Sequence, residues 1–275
     1  MKKSIAFILS LAIFTTFSCQ KENISTATST TEEVSVYEKL TALTATTNNV
    51  IAIKSIGNIS INNPEQIDID GSFKDKAGKL LKAETFQVAQ HDVEEKANEG
   101  YRKYMNTTLP NFKALIPKFY ENQVKVELKS KEIGDISAFI YSPSIVQIKL
   151  SNDLIKNLKL NKNQGLTIKW IPDAKLNSSG EETQQVGASI VYHTEYLANT
   201  TQKGLPTDNI TVFKLANDST GELNFTPQDL EKLPSNGEVR IFLARANQEN
   251  VTTSTGQKVN IVSFSMSYLQ DVIVQ

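Results

Sequence analysis

Residues 262–268 read Val-Ser-Phe-Ser-Met-Ser-Tyr, so that Val262, Phe264, Met266 and Tyr268 alternate strictly with Ser263, Ser265 and Ser267. A period of two is the mark of a half-buried β-strand, with the serines predicted on the wet face. The same period recurs on either side. Glu238–Ala244 places Val239, Ile241 and Leu243 on one face, Leu166–Trp170 alternates, and Ala188–Tyr196 sets Ile190, Tyr192 and Tyr196 opposite His193 and Glu195. Ile210–Leu215, the turn 218–221 and Glu222–Phe225 read as strand, turn, strand. Strands at this spacing, separated by turn signals, predict an all-β, antiparallel, immunoglobulin-like β-sandwich.

One short cap helix is expected where Thr226 precedes Pro227, Asp229 sits in the first turn and Pro234 follows Leu233. Thr at N-cap and Pro at N1 start a helix, and the later proline ends it. A second helix is predicted over Asp92–Met105. Asp92 and Glu95 have capping-box spacing, and Val93, Ala97, Tyr101, Tyr104 and Met105 fall at helical intervals, with Gly100 weakening it by ~1 kcal/mol. Gln66–Phe73 and Leu80–Val88 read as a hairpin about a turn at 76–79, and Val124–Leu128 as a further strand. The charged stretch Ser130–Asp135 suggests a boundary between an N-terminal β-rich region with one helix, 34–132, and a C-terminal sandwich domain, 133–275.

Composition narrows the functions. The 275 residues carry 29 Lys+Arg against 30 Asp+Glu, one Cys and two His, with 39% hydrophobic residues. Wholesale disorder is excluded, and a net charge of -1 offers no basic footprint for nucleic acid. A lone cysteine builds neither a disulfide framework nor a multi-cysteine metal site. There is no nucleophile elbow, zinc-protease helix, phosphate loop or complete calcium loop, so no catalytic residue, metal or cofactor is assigned. Ile67-Asp68-Ile69-Asp70-Gly71 is the nearest approach to a calcium motif; a strand with both acids on its wet face explains it better. His91 with Glu95, and His193 with Glu195, read as surface pairs.

Three features suggest function. Met1-Lys2-Lys3, the apolar run Ile5–Phe14 and the small residue Ser18 before Cys19 make an export signal too short to span a bilayer. A plain secretory signal with a chance cysteine is the alternative. Tyr101, Tyr104, Phe112, Phe119 and Tyr120 cluster around a Pro110–Pro117 segment that cannot be a continuous helix. Phe112, Phe119 and Tyr120 must either fold inward, the default, or form an exposed platform for a glycan or protein. Finally, Asn23–Glu33 has almost no apolar content and predicts a flexible tether from 19 to 33.

The signal resembles that of bacterial lipoproteins, in which Cys19 would be the acylated first mature residue, although Thr16 and Phe17 depart from the usual residues. Gln20-Lys21-Glu22 resembles the export tag of Bacteroidota surface lipoproteins, and Leu166 onward (L-T-I-K-W-I-P-D, F-T-P-Q-D-L-E-K-L-P, E-V-R-I-F-L-A-R-A-N) looks like their C-terminal sandwich, with Trp170 buried and edge strands beside it. Asp218-Ser219-Thr220 is similar to the O-glycosylation acceptor of exported proteins in that group, at Ser219. The resemblance implies a protein held by its lipid on the cell outer membrane, facing outward, with no catalytic residue. The functional expectation is a non-catalytic extracellular module for glycan or protein. A structural subunit of an envelope assembly, favoured if an edge such as Ile261–Tyr268 were unpaired, or a hydrolase with an unrecognised acidic site, are the alternatives. Metabolic labelling with a fatty-acid analogue is expected to tag the wild-type chain and to be abolished by Cys19→Ala; retained label would end the lipoprotein reading.

Overall fold

Two neighbouring strands carry the architecture. The computed structural model describes residues 26–29, 47, 49–58, 64–97, 99–150, 154, 157–177, 185–194 and 204–275. The signal, Cys19 and most of the tether lie outside them. Alternation through Val239, Ile241 and Leu243 continues into β15 (Glu238–Thr252), and the serine-alternating stretch into β16 (Lys258–Val274). They form one hairpin, turned at Gly256, with a bulge between Val239 and Ile241, about 50 Å long at ~3.3 Å per residue.

A ten-stranded sheet grows from both sides of this hairpin. On one side β16 pairs in parallel with β2 (Val50–Asn58), followed by β3 (Gln66–Ser72), β7 (Gly100–Asn106) and β6 (Glu94–Lys96). On the other, β15 pairs with β12 (Gln185–Tyr192), then β13 (Ile210–Asn217) and β1 (Thr26–Ser29). The short β10 (Lys159–Leu160) joins the end of β16 in parallel. Every other pair is antiparallel. One face is covered by two smaller sheets, β5-β4-β8-β9 (His91–Asp92, Thr85–Val88, Asn122–Lys129, Ile136–Ser142) and β11-β14 (Leu166–Lys169, Glu222–Phe225). The chain is thus the all-β, mainly antiparallel sandwich that its alternation predicted.

Each smaller sheet closes its own core. Ile51, Ile53, Ile67, Ile69, Val259 and Ile261 meet Phe86, Val124, Val126, Leu128 and Ile140 in one; Ile190, Tyr192, Val239, Ile241 and Leu243 meet Ile168, Trp170, Leu223 and Phe225 in the other. Burying each such side chain contributes ~1.5–3 kcal/mol. The cap helix is present, as α3 (Pro227–Leu230), shorter than predicted but with the full Thr226/Asp229 capping box, and it seals Leu230 and Leu233 into the second core. Trp170 is buried there and donates its indole N–H to the Asp218 carbonyl, 2.9 Å away. The stretch Ser130–Asp135 is the turn of the β8/β9 hairpin, so the chain does not divide at that point. Both halves share β15 and β16.

The serines overturn one expectation. Ser263, Ser265 and Ser267 are fully buried, the last two beneath the crossing segment 143–146, whereas Val262 and Phe264 face the opposite side of the sheet with Phe213, Ala244 and Ala246. Ser265 Oγ–H donates to the Pro143 carbonyl and Ser267 Oγ–H to that of Val146 at 2.9 Å. Small hydroxylic side chains let the crossing chain come within hydrogen-bonding reach of the sheet.

The predicted helix over Asp92–Met105 is instead β5, β6 and β7. Tyr101 and Met105 are buried while Arg102 and Tyr104 are exposed, which is period two; Ala97, predicted inward, is exposed. The hairpin predicted over 66–88 is reduced to its turn. The Gly78 N–H donates to the Asp75 carbonyl, and one bridge links Lys74 and Leu80; β3 and β4 then part into different sheets. Part of the expected tether, Thr26–Ser29, pairs with the edge of β13. The strand assignment of β7 gives Gly100 a specific role. Its φ is +94°, and a Cβ there would lie 2.4 Å from the Gly71 carbonyl oxygen. In a helix, Gly100→Ala would stabilise by ~1 kcal/mol. In this strand start, it is expected to destabilise by about 1–3 kcal/mol in urea unfolding. The sign separates the two structures.

Candidate binding groove

The aromatic cluster divides in the folded chain. Phe112–Phe119 forms helix α1, with Pro117 in its last turn, in place of the irregular segment expected between the two prolines. The helix is only eight residues long, so Pro117 interrupts little of its ladder. The Asn122 side-chain amide donates to the Pro117 carbonyl at 3.0 Å. Phe112 and Phe119 are buried in the first core, so they are not a binding platform. Their burial is what the hydrophobic effect favours for two rings on one helix face. Tyr120, immediately beyond the helix, is half-buried and points elsewhere, into an open groove of about 480 Å³.

The groove opens between the two cores. Tyr120, Tyr141 at the end of β9, and Ile171 and Pro172 after β11 supply its apolar surface, with Ile171 53% exposed. Gln147, Glu121 and Lys175 provide polar rim groups; Lys175 belongs to helix α2 (Ala174–Asn177). Lys175 Nζ lies 5.6 Å from the Tyr141 ring centroid, a cation–π distance, and donates to the Glu121 carbonyl at 3.3 Å. The Tyr120 hydroxyl oxygen accepts the Ile145 N–H at 2.9 Å, which fixes the ring against the wall.

Its floor is a buried ionic network. The Arg245 guanidinium, 1% exposed, donates Nε–H to Asp218 Oδ1 at 2.7 Å, Nη1–H to Ser144 O and Oγ at 3.1 and 2.8 Å, and Nη2–H to Ile171 O at 2.5 Å. Asp218 Oδ2 accepts the Asp173 N–H at 2.7 Å. Asp173 in turn accepts Ser144 N–H and Oγ–H, at 3.1 and 3.0 Å, and the N–H groups of Lys175 and Leu176. The Tyr141 hydroxyl donates to Asp173 Oδ2 at 3.2 Å. Burial alone would raise the Asp173 pKa, but the Ser144 hydrogen bonds, the Arg245 charge and the Leu176 N–H outweigh it, and the carboxyl is held below its ordinary value. Burial first, and then the Asp173 charge, push the Tyr141 phenol well above its ordinary value, so it stays a donor.

The polar groups of this floor are engaged mainly with one another. Asp173 accepts from backbone, serine and tyrosine donors, and Asp218 from Arg245 and the Asp173 N–H. Ser144 Oγ–H donates to the Asp173 carboxylate, and its oxygen accepts from Arg245 Nη1–H. Among the described residues no three His, Cys, Asp or Glu side chains form a metal cluster, and no helix is long and apolar enough to cross a membrane.

Other predicted positions fall elsewhere. Asp68 is buried and not on a wet face, with Arg102 Nη2 at 3.1 Å and Lys54 Nζ at 3.9 Å; Lys54 also meets Asp70. His91 rests 5.5 Å from the Phe119 ring with Nε2 buried, and burial, then Lys118 and Lys103, depress its pKa. Glu95 pairs with Lys82 at 3.0 Å. His193 is buried, and Glu195 lies outside the described residues. Ser219 is exposed on the 3₁₀ turn Asp218–Thr220. Arg245, Asp173, Asp218 and Tyr141 carry the site; Asp218 and Asp173 fall within stretches the sequence singles out, but for other reasons than this network. Arg245 did leave a trace, since it continues the odd-numbered apolar face of Val239, Ile241 and Leu243.

No protein-family model and no curated protein matches the chain. Among solved structures, the chain is similar to a Ca²⁺-stabilised adhesin that helps an Antarctic bacterium bind ice (8% identity, 83% of this chain and 49% of that one, TM-score 0.20). It is also similar to a 1.5-MDa bacterial ice-binding adhesin (9%, 82% and 64%, TM-score 0.19) and to Escherichia coli alpha-2-macroglobulin (10%, 74% and 13%, TM-score 0.21). The chain spans less than two thirds of each. Scores this low carry no argument about function.

Asp218→Ala leaves the buried Arg245 charge without its carboxylate and is expected to cost about 3–5 kcal/mol in denaturant unfolding. Adding Arg245→Met to Asp218→Ala should recover part of that loss, whereas additive losses would show that the two groups act independently.

Proposed function

We propose that the chain is the non-catalytic, ligand-binding part of a lipoprotein anchored through Cys19 in the cell outer membrane, facing outward, and that the Tyr120–Tyr141–Ile171 groove receives a glycan. The observation that carries this reading is the contrast between the groove's walls and its floor. The walls offer apolar surface and rim hydrogen-bonding groups, which suit the faces and hydroxyls of a sugar. The floor is internally satisfied and so is held rigid, which limits the ordering cost of binding. The signal-like sequence before Cys19 and the Gln20-Lys21-Glu22 stretch after it support the location.

An immunoglobulin-like arrangement of the C-terminal half is supported by its pairing. β12, β15 and β16 lie side by side with β13 outside β12, facing the β11-β14 pair, which parallels strands C, F and G opposite B and E of that sandwich. The structural-subunit reading loses its main support, because Ile261–Tyr268 is paired on both sides, by β15 and β2. The hydrolase reading finds no free acidic pair in the groove.

A glycan array followed by titration calorimetry on the best hit tests the groove. Tyr141→Ala is expected to weaken binding about ten-fold, as loss of one aromatic contact does, with an unchanged far-UV spectrum. Binding unchanged in both Tyr141→Ala and Ile171→Ala would remove the groove as the site.

A further inference from the structure

We infer that the outer face of the large sheet, opposite the two smaller sheets, is the docking surface for residues 30–46 of the same chain, which lie outside the described residues and whose sequence reads as an amphipathic helix. On that face Phe213, Ala244, Ala246, Val262 and Phe264 form an apolar cluster, none of them more than 7% exposed, although every described member of the cluster belongs to a strand of the sheet itself. Side chains stand roughly perpendicular to a sheet, so an uncovered face leaves its rings wet. Tyr104 shows the contrast. It stands on the same face in the same row as Phe264, reached through Lys54 and Asp68, and is 51% exposed. The cover therefore lies over the middle of the sheet and ends before β7.

Residues 30–46 join the two strands that flank this area. β1 ends at Ser29 on the edge of β13, and Thr47 is pinned at the start of β2, its hydroxyl donating to the Lys258 carbonyl at 3.0 Å and accepting the Asn49 N–H at 3.2 Å. Traced through β13, β12, β15 and β16, β1 and β2 point the same way. Parallel strands of one sheet are joined by a crossover over one of its faces, usually a helix. The inner face there is filled by the β11-β14 pair and by segment 143–146, which leaves the outer one. The length fits. Five strand spacings make ~24 Å across the sheet. Thr26 shares a row with Asn58, so the chain must also return by about eleven residues, or ~36 Å, to reach Val50, ~43 Å in all. A helix over 33–43 covers ~16 Å of that, and the remaining links reach ~35 Å when extended.

The chemistry of the segment matches the face. Thr30 and Glu33 have capping-box spacing, and Glu32 and Glu33 suit the first turn of a helix. Val36, Tyr37, Leu40 and Leu43 then recur at i, i+1, i+4 and i+7, one apolar stripe, with Ser35 and Glu38 on the opposite side. Such a stripe must bury itself against another element. The sheet offers a furrow for it. Ala244 and Ala246 on β15, with Gly187 opposite Ala244 on β12, keep the middle low, while Phe213 on β13 and Phe264 on β16 raise the two sides. The docked stripe supplies the cover that the buried rings require.

Thiol labelling tests this in the otherwise full chain carrying Cys19→Ser, which removes the single native cysteine. Ala246→Cys then reports on the outer face, and Ala188→Cys, buried in the second core, reports on the fold. Both thiols are expected to label slowly. Adding Leu40→Asp and Leu43→Asp should speed labelling of Ala246→Cys about 100-fold and leave Ala188→Cys slow, the mark of a local opening. Three results overturn the proposal: fast labelling of Ala246→Cys without the aspartates, which means a bare face; protection that grows with protein concentration, which means a second copy; and protection that survives both aspartates, which means another segment. A photo-reactive benzophenone side chain in place of Leu40 keeps the apolar contact and so tests docking even where the aspartates unfold the chain. It is expected to attach to peptides of β12, β13, β15 or β16, and about ten-fold less when it replaces Glu38 on the opposite side of the stripe. Equal attachment from the two positions, or none from either, also overturns the proposal.

Discussion

Residues 143–146 cross the middle of the large sheet between its two cores without pairing to any strand, and buried backbone groups in such a segment need partners. Side chains from the sheet and from the loops beside it provide them. Ser265 serves the Pro143 carbonyl, Arg245 that of Ser144, and Ser267 that of Val146, while the Tyr120 oxygen takes the Ile145 N–H. A continuous apolar face on the sheet would have left the three carbonyls of Pro143, Ser144 and Val146 unpaired, each costing about 1–3 kcal/mol. The serine stripe and the buried arginine are thus one solution to one problem. Small residues admit the crossing chain, and donors on them hold it.

Arg245 extends that solution to a second loop. Taking a guanidinium out of water costs several kcal/mol, and only excellent geometry offsets it. Here the offset is a carboxylate at 2.7 Å and three carbonyl or hydroxyl acceptors, drawn from the 3₁₀ turn, the crossing segment and the loop after β11. Because Asp218 also holds the Asp173 N–H, and Asp173 holds Ser144 and Tyr141, the loop that forms the groove's far wall is registered against the sheet through charges instead of apolar packing. The groove lies between the two cores, and it keeps its shape because Arg245, Asp218, Asp173 and Ser144 hold the segments between them by hydrogen bonds.

Much of this fold is legible in period alone, and its failures have identifiable causes. Strands such as Leu166–Lys169 and the cap at Thr226 follow from side-chain chemistry within a few residues, so local reading finds them. Over Asp92–Met105 the apolar positions 93, 101 and 105 satisfy a period of two as well as one near four, and the capping-box spacing tips the choice wrongly. What decides is Gly100, whose close approach to the Gly71 carbonyl is a long-range contact with no local signature. Alternation likewise shows that serine and apolar residues occupy opposite faces of β16, but not which face is wet, because that depends on a crossing segment more than a hundred residues earlier. The groove was the least legible part. Sequence alone picks out Tyr120 for its ring and Asp218 for its Asp-Ser-Thr stretch, but nothing local joins them, and Asp173 looks like an ordinary turn acid until Arg245 is seen on the buried side of its strand.

Asp218 brings the sequence motif and the fold into conflict. As the first residue of Asp218-Ser219-Thr220 it is the position that an O-glycosylation enzyme would have to read, yet its carboxylate is fully buried against Arg245 and the Asp173 N–H. Ser219 itself is exposed, but its N–H and hydroxyl are both held by the Asn217 side chain, and Thr220 is bonded back to the Asn217 carbonyl. An enzyme that needs the aspartate could engage the folded turn only by pulling Asp218 off Arg245, leaving a buried charge unpaired at a cost of about 3–5 kcal/mol. Two readings are therefore compatible with the structure: modification of the chain before this turn closes, or an Asp-Ser-Thr sequence kept for its turn geometry and its carboxylate. Under either, the folded protein presents Ser219 as a surface hydroxyl and retains Asp218 for the network that shapes the groove.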